Sequence, residues 1–402
     1  MKKRVLCLVL VVVMLLPTMI VPASAYSTDL PQGVQLYVGH KSVKYDTMLY
    51  ADYSDDDIEA LLTVCDEFVM NCINKPFNYD LNGNAIITTS DINSISSVNI
   101  SSNATVSNLK TSYNDILASD YLSNDGSSNC NLKYLADAQI DLANRIINQK
   151  SSATIWFCFP LIGFFPCALE YQDAFEEYAA YIKSQMSNTR WDNNVRGFYW
   201  ATENVGWSGK FNAPSSSSNP SSENFGNPHV KLMIAMANLV KGSYGKEFLW
   251  MPYTSVTSNT ALTQNDILMG YVANKTTIFD YILLQPGYYT HGNDYVEPLR
   301  RVAASATNNK VYCPSTTTSY TQVVGNSKVS GAAKIGVVME IDDKIVNGGT
   351  ENPASFYNNT YYEYTLKFNP IKANVPVIFY AGARDSIKNG IVFNYVKNFL
   401  NY

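Results

Sequence analysis

Short β-rich apolar runs alternate with longer amphipathic stretches from residue 153 onward in this 402-residue chain, two further runs of the same kind precede them, and most are continuously apolar. Alternation of that sort is the signature of a parallel sheet, and continuous apolar strands are expected where helices cover the sheet's outer face. Eight such units close most naturally on themselves, so the predicted fold is α/β, a TIM (β/α)8 barrel with long loops after strands 2 and 4.

Taken in order, residues 1–25 read as a secretory signal peptide. Lys2, Lys3 and Arg4 form a basic start, residues 5–21 an apolar run, and Ala23-Ser24-Ala25 a small-residue cleavage site. Pro17 and Pro22 interrupt the run and argue against a membrane anchor. The mature chain is then a single barrel domain over 26–402, secreted, with no later run long enough to span a bilayer.

Strand one is expected at 36–39, a helix at 55–64, and strand two at 68–73. The polar, Ser/Thr/Asn-rich stretch 74–110 is a loop, and 132–148 is the helix leading to strand three at 153–159. A helix over 168–186 carries Ala174, Tyr178, Tyr181, Ile182 and Gln185 as one stripe. Strand four follows at 195–202, and then a second long loop, 208–227, with a Ser-rich centre. Asn227 as cap and Pro228 as first residue open a helix over 228–241. The remaining strands are expected at 248–252, 279–285, 334–341 and 375–380. Both long loops would then follow the C-terminal ends of strands, the face on which barrels carry their sites.

Composition narrows the partners. The net charge is −5, and loss of the three basic residues in the signal leaves 26 basic against 34 acidic side chains, or −8. That balance has no footprint for nucleic acid. Tyr (29), Phe (17) and Trp (5) are plentiful while charged residues are 16%, a mix that suits flat neutral ligands such as sugars, although most aromatics in a large domain are core. Once Cys7 leaves with the signal, Cys65, Cys72, Cys130, Cys158, Cys167 and Cys313 remain. An even count in a secreted chain permits three disulfides, with Cys158–Cys167 the favoured local pair and buried thiols the competing reading. No C-x-x-C, G-x-S-x-G, H-E-x-x-H, Walker loop or dinucleotide fingerprint occurs, so zinc, serine-hydrolase, nucleotide and redox-motif readings have no support and no cofactor is expected.

The strand ends carry a recognisable pattern. The segments Arg196-Gly197-Phe198-Tyr199-Trp200-Ala201-Thr202-Glu203, Lys246-Glu247-Phe248-Leu249-Trp250-Met251-Pro252-Tyr253, Phe279-Asp280-Tyr281-Ile282-Leu283-Leu284-Gln285-Pro286 and Gly336-Val337-Val338-Met339-Glu340-Ile341-Asp342 resemble the bacterial family known as domain of unknown function 4855. The resemblance spans about residues 129 to 345. It implies a secreted barrel related to glycoside hydrolases and leaves the substrate open.

On this strand count Glu203 ends strand four and Glu340 ends strand seven. That is similar to the retaining glycosidase clan built on this barrel, in which the first glutamate is acid/base and the second nucleophile. Acetal cleavage needs a proton on the leaving oxygen and negative charge beneath the oxocarbenium ion, which two carboxyls across one mouth supply. With a period of two, Glu203 shares its face with Ala201, Tyr199 and Gly197, and Glu340 with Val338 and Gly336. The clan usually has Asn before its acid/base, whereas Thr202 precedes Glu203 here. Asp342 has the inward parity of Glu340 and could replace it or hold substrate hydroxyls. The competing reading for either glutamate is a surface acid or an ion-pair partner of Arg196 or Arg384.

Supporting contacts to carbohydrate are expected from Trp207, Tyr253, Gln285, Tyr288, His40 and His291, with one nearby tyrosine tuning the nucleophile. Loop packing is the alternative for each. Asp80, Asn82, Asn84 and Asp91 have the spacing of a calcium loop, but Ala85 stands where that loop needs glycine, so a plain Asn/Asp-rich turn competes. The function expected is a glycoside hydrolase cleaving a polysaccharide or glycan; the alternative is a non-catalytic barrel that binds carbohydrate or a surface.

Overall fold

The computed structural model describes residues 30–39, 53–72, 132–162, 165–203, 228–254, 264–312, 328–380 and 390–400. Its sheet is a closed barrel of eight strands in sequence order, every neighbouring pair parallel. The strands are β1 (Gln32–Tyr37), β2 (Glu67–Asn71), β3 (Thr154–Phe159), β4 (Val195–Trp200), β5 (Glu247–Trp250), β6 (Tyr281–Leu284), β7 (Lys334–Glu340) and β8 (Val377–Tyr380). Pairing of Gln32, Gly33 and Val34 with Val377, Ile378 and Phe379 closes the ring. All eight strands lie where the sequence places them except the first, which begins four residues earlier than expected because residues 32–34 are needed for that closure.

Between the strands lie α1 (Asp55–Leu62), α2 (Leu132–Gln149), α3 (Gln172–Gln185), α4 (Asn188–Asn194), α5 (Pro228–Ala237), α6 (Gln264–Lys275), α7 (Tyr288–His291), α8 (Val296–Thr307), α9 (Lys344–Asn347), α10 (Ala354–Phe368) and α11 (Gly390–Leu400). Local chemistry fixes several ends. Ser54 and Asp57 form a reciprocal capping box on α1, whose first turn carries three aspartates against the helix dipole. The expected helix over 168–186 is split into a 3-10 segment, Phe165–Tyr171, and α3. Its stripe holds at Ala174, Tyr178 and Ile182, but Gln185 is exposed and Met186 takes the buried place. The helix expected over 228–241 ends in a π turn, Asn238–Ser243.

The barrel interior is filled, with an ion cluster as its floor. Arg196 reaches Glu67 at 3.0 Å and Glu247 at 2.6 Å, Trp156 donates to Glu67 at 2.7 Å, and the Tyr281 hydroxyl donates to Glu247 at 3.1 Å. A register shift between β3 and β4 admits an extra residue at Arg196, so Arg196 and Gly197 both face inward. The competing reading that paired Arg196 with Glu203 or Glu340 fails for this reason: its fork is filled at the opposite end of the barrel.

The cysteine expectation needs correction. Cys65, Cys72 and Cys158 are buried thiols, so Cys158 is not joined to Cys167. The Cys158 thiol accepts the Cys72 peptide N–H at 3.3 Å inside a continuous apolar core, and a core of this size holds without staples. Cys130 and Cys313 lie outside the described residues. No helix among those described is long and apolar enough to cross a membrane.

Candidate active site

Strand register decides which side chains meet at the C-terminal mouth. In a parallel barrel, residues paired across strands share a face. The pairs Glu340↔Tyr380 and Tyr37↔Asn71, and the bridge Tyr253↔Gln285, therefore stand side by side in the uppermost interior ring. Glu203 joins them, three residues beyond the last residue of β4 and half-buried. The two glutamates expected from the strand count thus face one mouth.

Each carboxyl has a fixed donor. Gln285 Nε2 donates to Glu203 Oε1 at 3.0 Å, and is itself held by the Met251 carbonyl at 2.7 Å. The Tyr364 hydroxyl donates to Glu340 Oε2 at 2.7 Å. Burial pushes the Glu340 carboxyl up to about 7, and the nearby Glu203 charge pushes the same way. Tyr364 and the peptide N–H groups of Tyr289 and Gly287 oppose the shift by favouring the anion. Burial also raises Glu203, with the Gln285 amide working against it. Tyr253 and Tyr380 each feel the charge of both glutamates, so the two acids and two tyrosines occupy one electrostatic neighbourhood.

Two glycines make the Glu340 side of the site possible. A Cβ on Gly336, four residues below Glu340, would lie 2.2 Å from the Pro376 carbonyl oxygen, so β7 and β8 could not approach as they do. Gly287 has φ +64, a left-handed conformation that turns the chain after β6 and brings its N–H to bear on Glu340.

Asp342 is arranged differently from the two glutamates. Its Oδ1 accepts from the Tyr289 hydroxyl at 2.9 Å and the Lys344 peptide N–H at 3.0 Å, and its Oδ2 meets Lys344 Nζ at 3.0 Å. Those bonds hold the loop from β7 into α9 and occupy both oxygens. Among the other expected contacts, Tyr253 lies at the mouth and donates to the Tyr295 hydroxyl at 3.1 Å. His291 is exposed and stacks on Tyr295 with ring centroids 4.1 Å apart, one layer outside. Tyr288 is buried against Tyr364, at 5.9 Å between centroids. Trp200 and Trp250 are core, Trp200 donating to the buried His229 at 3.1 Å. Trp207, His40 and the calcium candidates Asp80, Asn82, Asn84 and Asp91 lie outside the described residues. Among those described, no group of three or more His, Cys, Asp or Glu side chains is placed to hold a metal ion.

Four residues at the mouth, Tyr37, Asn71, Tyr364 and Tyr380, carry no motif that marks them in the sequence. Tyr364 sits on a helix, and helices were assigned to the outer layer; no local signal marks a side chain that reaches back over a strand end. Tyr37, Asn71 and Tyr380 end β1, β2 and β8, and an interior-facing strand end is the one signal that points to them.

No protein-family model matches the chain, and neither does any curated protein. Among solved structures it is similar to a GH18 chitinase from Pseudoalteromonas aurantia, at a TM-score of 0.38 and 10% identity, over 92% of this chain and 99% of that one. The closed, all-parallel eight-stranded sheet is by itself what makes this chain a (β/α)8 barrel.

Proposed function

We propose that the protein is a retaining glycoside hydrolase whose acid/base is Glu203 and whose nucleophile is Glu340. The observation that carries the reading is the pair of carboxyls at the ends of β4 and β7, which face one mouth and are each held by a fixed donor, Gln285 on Glu203 and Tyr364 on Glu340. Sugar transfer requires one protonated and one ionised carboxyl at the same pH, and two acids buried in one mouth favour a single shared proton.

The donors argue for where that proton rests. Glu340 receives the Tyr364 hydroxyl hydrogen and faces the N–H groups of Tyr289 and Gly287, all of which favour its anion. Among the described residues Glu203 receives one donor, from Gln285 on Oε1, which leaves Oε2 for a proton directed at the leaving oxygen. With that proton in place the Glu203 charge vanishes, and the push that remains on Glu340 is burial, which Tyr364 and the two peptide N–H groups oppose. Attack of Glu340 on the anomeric carbon and protonation of the departing oxygen by Glu203 would give a glycosyl-enzyme. Glu203, now ionised, would then take a proton from the water that releases it. The leader expected over residues 1–25 and the resemblance to domain of unknown function 4855 support a secreted member of that group.

A panel of 4-nitrophenyl glycosides and neutral polysaccharides, read by chromophore and reducing-sugar release, tests the proposal. Wild type is expected to turn over at least one of them with retention of anomeric configuration by NMR. Glu203→Gln and Glu340→Gln should each lose about 10²-fold or more. Full activity in either variant would overturn the assignment, and binding without turnover would instead favour a non-catalytic barrel.

A further inference from the structure

One polar atom in the uppermost ring is not explained by the fold. Asn71 closes β2 with its side chain on the interior face, because the alternation that aims Glu67 at the floor cluster brings Asn71 to the mouth two pairs later. It is 4% exposed, and its Oδ1 is buried with no hydrogen-bond partner among the described residues. Buried carbonyl oxygens are almost always satisfied, so an orphan at a barrel mouth marks a place where something outside the chain donates. Val or Thr would fill the same space without that cost.

The neighbours complete a binding wall. Tyr37, in register with Asn71, donates its hydroxyl hydrogen to the Tyr380 hydroxyl. Having accepted from Tyr37, the Tyr380 hydroxyl keeps its own hydrogen to give to a ligand. Both tyrosines lie close enough to Glu203 to feel its charge, so the wall borders the carboxyl pair directly. It carries no charge of its own. Among the described residues the cations nearest the acids in sequence, Arg196 and Lys344, are engaged by Glu67 and Glu247 and by Asp342.

We propose that Asn71, Tyr37 and Tyr380 form the hydroxyl-binding wall of a sugar subsite beside Glu203, which takes a neutral sugar through adjacent hydroxyls, one donating to Asn71 Oδ1 and one accepting from Tyr380. The wall's place next to the reacting carbon rests on the hydrolase reading above; its affinity for a neutral sugar does not. An anionic sugar is disfavoured there, since its carboxylate would meet two glutamates and an amide oxygen with no free cation beside them among the described residues.

Calorimetric binding of neutral oligosaccharides (β-1,4-linked glucose, N-acetylglucosamine and mannose pentamers) and of a galacturonate pentamer to Glu203→Gln protein tests the wall. At least one neutral pentamer is expected to bind, and the galacturonate pentamer is not. Adding Asn71→Leu, which is nearly isosteric and apolar, should weaken the neutral pentamer about 10- to 100-fold while the melting temperature stays level or rises, because an unpaired acceptor has been removed. A purely structural asparagine would give the opposite pattern, a lower melting temperature with unchanged affinity, and that result overturns the subsite. So does binding of no neutral pentamer, or preference for galacturonate. Should Asn71→Leu fail to fold, Asn71→Asp is read in its place, with the same loss of affinity expected from its charge and unchanged affinity overturning the proposal. Asn71-dependent binding in a wild type that hydrolyses nothing would keep the subsite and sink the hydrolase.

Discussion

The Tyr364 hydroxyl donates to Glu340 Oε2 at 2.7 Å, although Tyr364 belongs to α10 in the outer layer and Glu340 to the end of β7. The same hydroxyl accepts the Tyr289 peptide N–H at 3.2 Å, so its own hydrogen is directed at the carboxylate. Tyr364 is a positioning residue: it orients Glu340 and biases it toward the anion. Hydrogen bonds to charged groups contribute about 1.5–3 kcal/mol. Tyr364→Phe should therefore lower kcat/KM roughly 10- to 100-fold and move the Glu340 limb of the pH profile upward. An unmoved profile would show that the tyrosine only packs.

Glu340 also makes stability depend on pH in a stated direction. Its folded pKa, about 7, lies above its ordinary value of 4.5, so between those two the folded chain keeps a proton that the unfolded chain has released. Its favourable contribution is complete below the lower value, declines as pH rises, and is gone above the upper one. Glu340→Gln removes that dependence. Relative to wild type it should gain on the order of 3 kcal/mol between pH 4 and pH 8, measured by chemical denaturation at each pH. Parallel curves for the two proteins would contradict the shift.

Gln285 acts on the other acid. Replacing it by Leu removes the donor on Glu203 Oε1 and leaves the Met251 carbonyl without its partner. Glu203 should then hold its proton to higher pH, displacing its limb of the rate profile upward, with a stability loss of about 1–3 kcal/mol. Thermal melting and the pH profile separate the two effects.

At the floor of the barrel the expected consequence is structural. Arg196→Met strips Glu67 and Glu247 of their cation while leaving both carboxylates buried. Removal of one partner from a buried ion cluster costs about 3–5 kcal/mol. The melting temperature should fall sharply, and the pH limbs of whatever activity remains should not move, because Arg196, Glu67 and Glu247 lie at the opposite end of the barrel from Glu203 and Glu340.

Most of the barrel was legible along the chain because strands buried on both faces must be continuously apolar, and the helices between them must show one polar face. Eight runs of the right length, separated by enough residues for a crossover, admit few closures. Parity did the rest for Glu203 and Glu340, since a period of two along β4 and β7 ties each acid to the small residues beneath it. The Cys158–Cys167 pairing failed, and the competing reading of buried thiols holds for Cys65, Cys72 and Cys158, because whether a core is large enough to bury a thiol unpaired is a property of the packed whole, not of cysteine spacing.

By itself, the sequence determined the layer order, the strand ends and the two carboxyls that the mouth presents. Only the tertiary structure decided what surrounds them. Register brought Asn71 beside Tyr37 and Tyr380 beside Glu340, the left-handed turn at Gly287 directed peptide hydrogens at Glu340, and a helix residue 24 positions downstream supplied its hydroxyl. The physical reason is range. Periodicity and turn chemistry act over a few residues, whereas a carboxyl's proton affinity depends on burial and on donors that meet it only after the barrel has closed.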